Sequence, residues 1–239
     1  MEIREHTTKA FDADLQSLNQ LVAEMGGYVE KQLGDSIDAL VKLDRDRAQR
    51  VVSADDAVDE LQRKIEELAV TTIATRQPMA VDLREVIGVL RIANELERIG
   101  DLAKNVGKRV ITLNGDYMPR KAVRGMKHIA DLAQGQLRDV LDSFARRDIA
   151  AATSVWTRDE EIDAMYTSLF REILTYMMED PGTITLGIHL LFCAKNFERL
   201  GDHATNIAEA VYYMVEGHSF PAERPKADTT TGIRLPITH

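Results

Sequence analysis

The chain has little that could hold it together covalently or anchor it in a bilayer. Cys193 is its single cysteine, so an intramolecular disulfide is excluded, which is typical of proteins from a reducing compartment. The longest apolar stretch, IHLLFCA at 188–194, is far shorter than the roughly 20 residues that span a membrane. The N-terminal segment, MEIREHTTKAFDADLQSL, is too polar for a signal peptide. We therefore expect a cytoplasmic protein that reaches a membrane only through partners.

Glycine and proline are also scarce, with 14 and 6 among 239 residues, and long stretches contain neither. Strand-and-turn architectures need frequent turn residues, so this scarcity favours long helices. The chain is 44% hydrophobic, which is enough for one substantial core or two smaller ones. Acids outnumber bases by 39 to 30, and no block of lysine and arginine forms a basic stripe, which argues against nucleic acid as a partner. We predict an all-α protein.

The sequence contains an internal repeat. The segment ELERIGDLAKN at 95–105 aligns with NFERLGDHATN at 196–206, a shift of 101 residues. Upstream the shift is 104, where LGDSIDAL at 33–40 aligns with LRDVLDSF at 137–144 and DDAVD at 55–59 aligns with DEEID at 159–163. Because loops tolerate deletions and packed helices do not, a length change confined to a connection indicates two copies of one three-helix unit.

Periodicity and punctuation predict six helices in two tandem three-helix bundles. The first and second cover about 7–43 and 46–75, and the third begins after RQPMAVD at 76–82 and ends near 112. The others cover about 119–146, 148–179 and 183–216. The first repeat therefore spans 1–114 and the second 115–216, with NGDYMP at 114–119 between the halves. The polar composition of 217–239 predicts a disordered tail.

Each repeat places four acids at helical spacing on its second and third helices. In the third and sixth helices the acids continue an apolar stripe, formed by Val86, Ile87, Leu90 and Ala93 and, in the second copy, by Ile184, Ile188, Leu191 and Ala194. The opposite side of the third helix is also apolar, so we expect that helix to be central and its acids not to face solvent. The eight acids are Asp55, Asp59, Glu97 and Asp101 in the first repeat and Asp159, Asp163, Glu198 and Asp202 in the second.

Like charges one helical turn apart destabilise even an exposed helix, by about 0.2–0.5 kcal/mol, and burial adds to that cost. We therefore predict that bound cations hold each set of acids. Four carboxylates from two neighbouring helices form a hard oxygen site suited to Mg²⁺, Mn²⁺ or iron, and less typically to Zn²⁺.

The eight acids also permit alternatives to a cation site of this kind. They can form a solvated face, or Arg98 and Arg199 can neutralise them. Each arginine, however, lies about 100° around the helix from its neighbouring glutamate and is expected to pair with another helix or to face solvent. A metal-free helical adaptor would use the acids to dock basic partners. A ferritin-like di-metal oxidase would need Glu-x-x-His, which is absent from the motif helices.

The remaining residues of the motif have structural interpretations. Gly100 and Gly201 indicate close helix approach or room beside the acids. Asn105 and Asn206 are interpreted as donors to the acids or as hydrogen bonders between helices. His203 points away from the acids, and Cys193 is interpreted as a small buried hydrophobe.

The doubled E-R-[I/L]-G-D-x-A-x-N, the RQPMAVDLR segment and the tandem three-helix repeat resemble the PhoU family of phosphate-signalling proteins over nearly the whole chain to about residue 216. The resemblance implies two tandem three-helix bundles with multinuclear iron or zinc clusters on paired acidic motifs. Those motifs correspond here to Glu97 with Asp101, Glu198 with Asp202, Asp55 with Asp59, and Asp159 with Asp163.

The resemblance also implies a function without a catalytic step. Proteins of this family negatively regulate the phosphate-starvation response. They bridge the phosphate-specific ABC transporter, through its ATPase subunit, and a sensor histidine kinase at the inner face of the membrane. We accordingly expect a metal-binding regulatory adaptor that forms a homodimer.

Overall fold

The computed structural model describes residues 2–113 and 120–221, and all regular structure in these ranges is helical. The helices are α1 (Glu2–Lys42), α2 (Arg45–Arg76), α3 (Val81–Thr112), α4 (Arg120–Arg146), α5 (Ile149–Thr157), α6 (Asp159–Glu179) and α7 (Ile184–Glu216), with a short 3₁₀ turn at Pro181–Thr183. The all-α prediction is confirmed. The predicted boundary after residue 114 lies outside the described residues, as do residues 222–239 of the predicted disordered tail, 217–239. Within 217–221, Phe220 stacks on Trp156 and Tyr212.

The connection between the first two helices has the same form in both repeats. Asp44 caps α2 by accepting a hydrogen bond from the backbone N–H of Arg47 at 2.9 Å. Asp148 caps α5 in the same way, with the N–H of Ala151 at 3.0 Å. The residues before the caps, Leu43 and Arg147, share a left-handed backbone with φ of 51° and 54°. Aspartate is among the best N-cap residues, so both helix starts have a local cause.

The predicted fifth helix is divided at Arg158, where α5 ends and α6 begins. Arg158 has φ −79° and ψ 0°, and its guanidinium is ion-paired with Asp139 of α4. Its counterpart in the first repeat, Ala54, lies inside the uninterrupted α2. The break makes Asp159 the first residue of α6, where unpaired backbone N–H groups and the helix dipole favour a carboxylate.

The helices pack as two units, α1–α3 and α4–α7, that share one continuous apolar core. In the second unit the divided helix α5–α6 takes the place of a single second helix, so each unit keeps the three-helix plan. The third helix of each unit lies at the centre, and α3 and α7 pack against each other. They run antiparallel, because Gly88 near the start of α3 lies against Met214 near the end of α7, and Arg109 near the end of α3 covers Phe192. The opposite side of α3 is buried as predicted, through Ile92, Leu96, Ile99 and Ala103.

One predicted stripe is wrong in its first turns. Ile184 and Ile188 of α7 are 43% and 44% exposed, although Ala194 on the same predicted stripe is buried. The core side of α7 at this end is formed by Leu186, Gly187 and Leu190 instead. A helix apolar on two sides does not reveal from its sequence which side meets the neighbouring helices.

No helix within the described ranges is long and apolar enough to cross a membrane.

Candidate functional site

The four predicted acids of the first repeat meet between α2 and α3, and they form the first acidic cluster. Asp55 is buried, Glu97 and Asp101 are half-buried, and Asp59 is exposed. Burial is the main cause of a raised pKa at Glu97, and the charge of Asp101 is the next. Arg98 lowers this pKa, and Asp59 and Asp55 raise it by smaller amounts. Burial likewise raises the pKa of Asp59, with Asp55 as the next cause. The carboxylates are therefore close enough to repel one another.

A lysine that was not predicted as a site residue lies inside this cluster. The ammonium of Lys104 contacts Asp101 Oδ1 at 2.5 Å and is also ion-paired with Asp55. Burial works against its charge, but hydrogen bonds to Asp101 and Asp55 raise the pKa of Lys104 overall. Its position three residues after Asp101, on the same helix face, is a signal that could have identified it.

Arg98 neutralises the first acidic cluster less effectively than Lys104 does. Its Nε lies 3.4 Å from Glu97 Oε2 and its Nη1 lies 3.9 Å from Asp101 Oδ2, so it pairs with acids of its own helix and the expected pairing with another helix is wrong. The Arg98 side chain is more than half exposed, and solvent weakens such pairs. Two cations against four carboxylates leave the first acidic cluster with an excess of negative charge.

The four acids of the second repeat form the second acidic cluster, between α6 and α7. Asp159, Asp163 and Glu198 are buried, and Asp202 is half-buried. Burial raises the pKa of Glu198, and the charges of Asp202 and Asp163 add to it, while Lys195 opposes the shift. This cluster is more deeply buried than the first.

The two clusters obtain their cation from different positions. Lys195 Nζ contacts Glu198 Oε1 at 2.7 Å, and its counterpart in the first repeat is the uncharged Asn94. At the position aligned with Lys104 the second repeat has Thr205, whose hydroxyl donates to Asp159 Oδ1 at 3.3 Å. The repeat therefore preserves the acids and changes what neutralises them.

A glutamine from the first helix of each unit completes the clusters and was also missed. Gln32 Nε2 donates to Asp55 Oδ1 at 3.3 Å and to the carbonyl of Val51 at 3.2 Å. Gln136 is its counterpart in α4, and both are buried. The signal was available, since each glutamine directly precedes the aligned segments LGDSIDAL and LRDVLDSF.

The motif glycines leave room for these glutamines. A Cβ at Gly100 would lie 3.2 Å from Gln32 Oε1, and a Cβ at Gly201 would lie 3.3 Å from both Gln136 Oε1 and Asp159 Oδ1. Both interpretations of these glycines therefore hold. The absence of a side chain leaves space beside the acids, and the helices approach each other closely there.

Each cluster also contains two buried oxygens without a hydrogen bond from the described residues. They are Gln32 Oε1 and Glu97 Oε2 in the first cluster and Gln136 Oε1 and Glu198 Oε2 in the second. Buried acceptors are nearly always satisfied in proteins, so these oxygens at aligned positions have room for a further donor, either a water molecule or a cation.

Asn206 and His203 of the motif act between the helices rather than at the acidic clusters. Asn206 Nδ2 donates to Glu95 Oε2 at 3.1 Å, and His203 Nδ1 lies 2.7 Å from the same oxygen, so both join α7 to α3. Asn105 is exposed. Cys193 is fully buried, and burial raises its thiol pKa to about 12, which fits an unreactive core residue.

The donors of both clusters suit a hard cation, but their positions do not yet form a ligand cage. Within the described part of the chain, no group of three or more His, Cys, Asp or Glu side chains is arranged to hold a metal ion. In the first cluster, the Lys104 ammonium lies where Asp55 and Asp101 converge. The residue types and the orphaned oxygens therefore fit a metal, and binding requires the carboxylates and Lys104 to rearrange.

Two tandem three-helix units, each with an acidic cluster between its second and third helices, define a duplicated helical-bundle protein without a visible catalytic constellation among the described residues. A family model described as the PhoU domain matches this chain twice, at residues 22–110 and 126–211. The chain belongs to the PhoU family.

Relatives match along nearly their whole length. A "phosphate-specific transport system accessory protein PhoU homolog" of Rhizobium meliloti (strain 1021) is 56% identical over 228 residues, covering 95% of this chain and 96% of the relative. A protein of the same description from Caulobacter vibrioides (strain NA1000 / CB15N) is 47% identical over 224 residues, with coverage of 94% and 97%.

Solved structures agree with the fold. The crystal structure of PhoU from Pseudomonas aeruginosa superposes with a TM-score of 0.84 at 39% identity, covering 87% of this chain and all of the other. The phosphate transport system regulatory protein PhoU from Streptococcus pneumoniae gives a TM-score of 0.82 at 28% identity, with coverage of 89% and 100%.

Proposed function

We propose that the chain is a regulatory accessory protein that negatively regulates the phosphate-starvation response by coupling the phosphate ABC transporter to a sensor histidine kinase. The observation that carries this proposal is the 56% identity, over 95% of the chain, to a relative described as a phosphate-specific transport system accessory protein. The protein works by binding and has no catalytic step of its own.

The proposed site of action is the cytoplasmic face of the inner membrane, which the protein reaches through the transporter ATPase subunit and the kinase. Two acidic clusters on one small protein suit such a bridging role, because each can engage a separate partner or a second copy of the chain. A homodimer is part of the proposal.

The two clusters are the proposed metal sites, with iron or zinc as the favoured ions and magnesium or manganese as alternatives. Three features support this: the raised pKa values of Glu97 and Glu198, the orphaned buried oxygens, and the negative excess of the first cluster. A cation held there would tie the second and third helices of each unit into a rigid surface that partners read.

A metal-free adaptor is the second candidate, and Lys104 favours it. Its ammonium already bridges the acids of α2 and α3, as a metal ion would. In that case the exposed edges of the clusters dock basic partner surfaces directly. A ferritin-like oxidase has no corresponding support, because the motif helices contain no Glu-x-x-His.

The testing experiment is a pull-down from phosphate-replete membranes with tagged wild-type protein and the double variant Asp101→Ala, Asp202→Ala. The matched control, Glu66→Ala with Glu179→Ala, removes the same charge from exposed positions outside the clusters. We expect wild type and control to recover the transporter ATPase subunit and the kinase, and the cluster variant to lose them.

Metal analysis of the same preparations, purified without chelator, separates the two candidates. Metal in wild type and control but not in the cluster variant supports the metal-binding form. Partner recovery by all three proteins without any metal supports the adaptor without metal. If the wild type recovers neither partner, the signalling role is refuted.

A further inference from the structure

Two gaps between α3 and α7 are copies of each other in the repeat. The first, about 300 Å³ in volume, is the basic pocket, and the second, about 400 Å³, is the acidic pocket. The basic pocket is lined by Asn105, Lys108, Arg109, Thr112, Phe192 and Asn196. The aligned residues, 101 positions away in each case, are Asn206, Glu209, Ala210, Tyr213, Arg91 and Glu95, and all six line the acidic pocket.

The carboxylates of the acidic pocket have hydrogen-bond partners within the chain. Glu95 accepts from Asn206 and is paired with His203, and Glu209 accepts from Trp156 Nε1 at 3.1 Å. Ser219 and Phe220, which follow α7, also line this pocket. Its charged acceptors therefore have donors close at hand.

In the basic pocket, by contrast, positive charges lack matching negative charges. Lys108 and Arg109 place two positive charges there, and no carboxylate belongs to its lining. Within residues 2–113 and 120–221, neither cation has an ion-pair partner, and the amides of Asn105 and Asn196 have no hydrogen bond. The Arg109 guanidinium is held 4.2 Å from the centre of the Phe192 ring. Lys108 and Asn105 are exposed, and Arg109 and Asn196 are half-buried. Donors without a partner from the described residues therefore line an open pocket, in a chain whose net charge is −9.

We propose that the basic pocket binds a phosphate group, either as the free anion or as a small phosphate ester. Two cations match the charge of a phosphate dianion, and the two asparagine amides can donate to its remaining oxygens. Arginine presents a rigid, planar set of donors that suits phosphate oxygens, and stacking on Phe192 fixes its orientation. The volume lies at the lower end of the roughly 300–1,000 Å³ of small-molecule sites, which favours a small anion.

The acidic pocket explains why binding would be one-sided. Glu209 stands where the basic pocket has Lys108, and Glu95 stands where it has Asn196. Both carboxylates would repel an anion. The site is separate from the acidic clusters, so it depends neither on metal binding nor on the partners proposed above.

Calorimetric titration of the full chain with inorganic phosphate tests the proposal. A chelator in a phosphate-free buffer prevents phosphate from binding through a metal ion at the acidic clusters. The two pocket variants are Lys108→Glu and Asn196→Glu, each of which copies the residue of the acidic pocket at the aligned position. The control, Lys64→Glu, makes the same charge reversal on the exposed side of α2.

We expect the wild type and the control to bind phosphate equally. Each pocket variant should bind about tenfold to hundredfold more weakly, as expected when a charge-assisted hydrogen bond is lost. Parallel titrations with glycerol phosphate distinguish an ester from the free anion as the preferred form.

Three results would overturn the proposal. The first is that the wild type does not bind phosphate at about 10 mM, which corresponds to an affinity too weak for a site. The second is equal binding by the wild type and both pocket variants. The third is binding of an oligoglutamate peptide but not of phosphate. The last result would assign the pocket to an acidic protein segment. None of them bears on the pull-down experiment, so the two proposals fail independently.

Discussion

At the scale of single residues, one exchange makes the two acidic clusters chemically unequal. Lys104 supplies an internal ammonium to Asp55 and Asp101, whereas the aligned Thr205 supplies only a hydroxyl to Asp159. Breaking a pair that involves a buried carboxylate leaves that carboxylate uncompensated. Lys104 therefore stabilises the metal-free first cluster and competes with any ion that binds there.

The substitution Lys104→Thr, which copies the second repeat, tests both effects. In chelator we expect the free energy of unfolding to fall by about 1–3 kcal/mol, because Asp55 is buried and loses its charged donor. Urea unfolding followed by circular dichroism measures the loss. With zinc or iron present, the variant should bind metal at the first cluster more tightly than the wild type.

Lys64→Thr is the matched control, because Lys64 is exposed and only weakly paired with Glu60 at 3.6 Å. Its stability should stay within about 0.5 kcal/mol of the wild type, as for most surface substitutions. Equal effects of both lysine substitutions would show that Lys104 does not neutralise the cluster.

The raised pKa of Glu97 leads to a second prediction, which concerns how the stability of the protein depends on pH. A carboxyl group whose pKa is raised by folding destabilises the folded protein when ionised, and that cost disappears as the pH falls through the raised pKa. Glu97→Gln should therefore stabilise the metal-free protein at pH 7, by a few tenths to about 1 kcal/mol.

The advantage of Glu97→Gln should shrink as the pH falls toward 4.5, the ordinary value for a glutamate. Thermal melts in chelator between pH 7 and pH 4.5 provide the measurement, with Glu66→Gln on the exposed side of α2 as the control. A Glu97→Gln protein less stable than the wild type at pH 7 would mean that the wild-type carboxylate is already compensated.

At the scale of helices, the close crossing of α2 and α3 depends on a glycine. A Cβ at Gly107 would lie 3.1 Å from the backbone oxygen of Ala48 and 3.3 Å from Val51 Cγ1. The backbone cannot move aside as a flexible side chain can. Gly27 of α1 is the contrasting case, since nothing lies within 4 Å of the corresponding Cβ.

The pair Gly107→Ala and Gly27→Ala should consequently shift stability in opposite directions. In Gly27→Ala the gain in helix propensity acts alone, so we expect stabilisation of up to about 1 kcal/mol. In Gly107→Ala the contact with Ala48 outweighs that gain, and the melting temperature should fall. Differential scanning calorimetry of both variants measures the two melting temperatures. A rise in the melting temperature of Gly107→Ala would mean that α2 and α3 separate at little cost.

Helices and repeats were predictable because their signals are local. Apolar spacing and the scarcity of glycine and proline act within a few residues of sequence. The division at Arg158 was not predicted, since its ion pair with Asp139 joins α5 to α4. The exposure of Ile184 and Ile188 was missed for a similar reason: neighbouring helices decide which apolar side is covered.

The sequence predicted the acids of the candidate site but not the residues that surround them. The doubled motif pointed to the eight carboxylates, and the fold places them in two clusters. Lys104 and Gln32 were not predicted, because neither is an acid, although both occupy positions that the repeat or helical spacing singles out. The metal-binding role of the clusters stays a prediction.

At the scale of the whole molecule, α3 and α7 join the two units into one body. Arg147, which follows α4, is paired with Glu85 of α3 at 2.5 Å, and Glu95 contacts His203 and Asn206 across the interface. Separating the units would expose part of a continuous apolar core and leave Glu95 without its donors.

We therefore predict that both units unfold together. Trp156 is the single tryptophan and lies in the second unit, so its fluorescence reports that half, whereas circular dichroism reports all helices. In urea the two signals should follow one coincident transition. A fluorescence transition displaced from the circular dichroism transition would show that the units are independent.

Metal-dependent stability shows directly whether cations offset the clustered carboxylates. Chelator-treated protein is melted with increasing zinc or, anaerobically, iron(II), as wild type and as Asp101→Asn with Asp202→Asn. If cations offset the clustered carboxylates, the wild type gains about 2.7 kcal/mol for each occupied cluster at a metal concentration one hundred times the dissociation constant, and the double variant gains far less. A wild type whose melting temperature does not respond to either metal, or responds no more than the variant, would contradict the account.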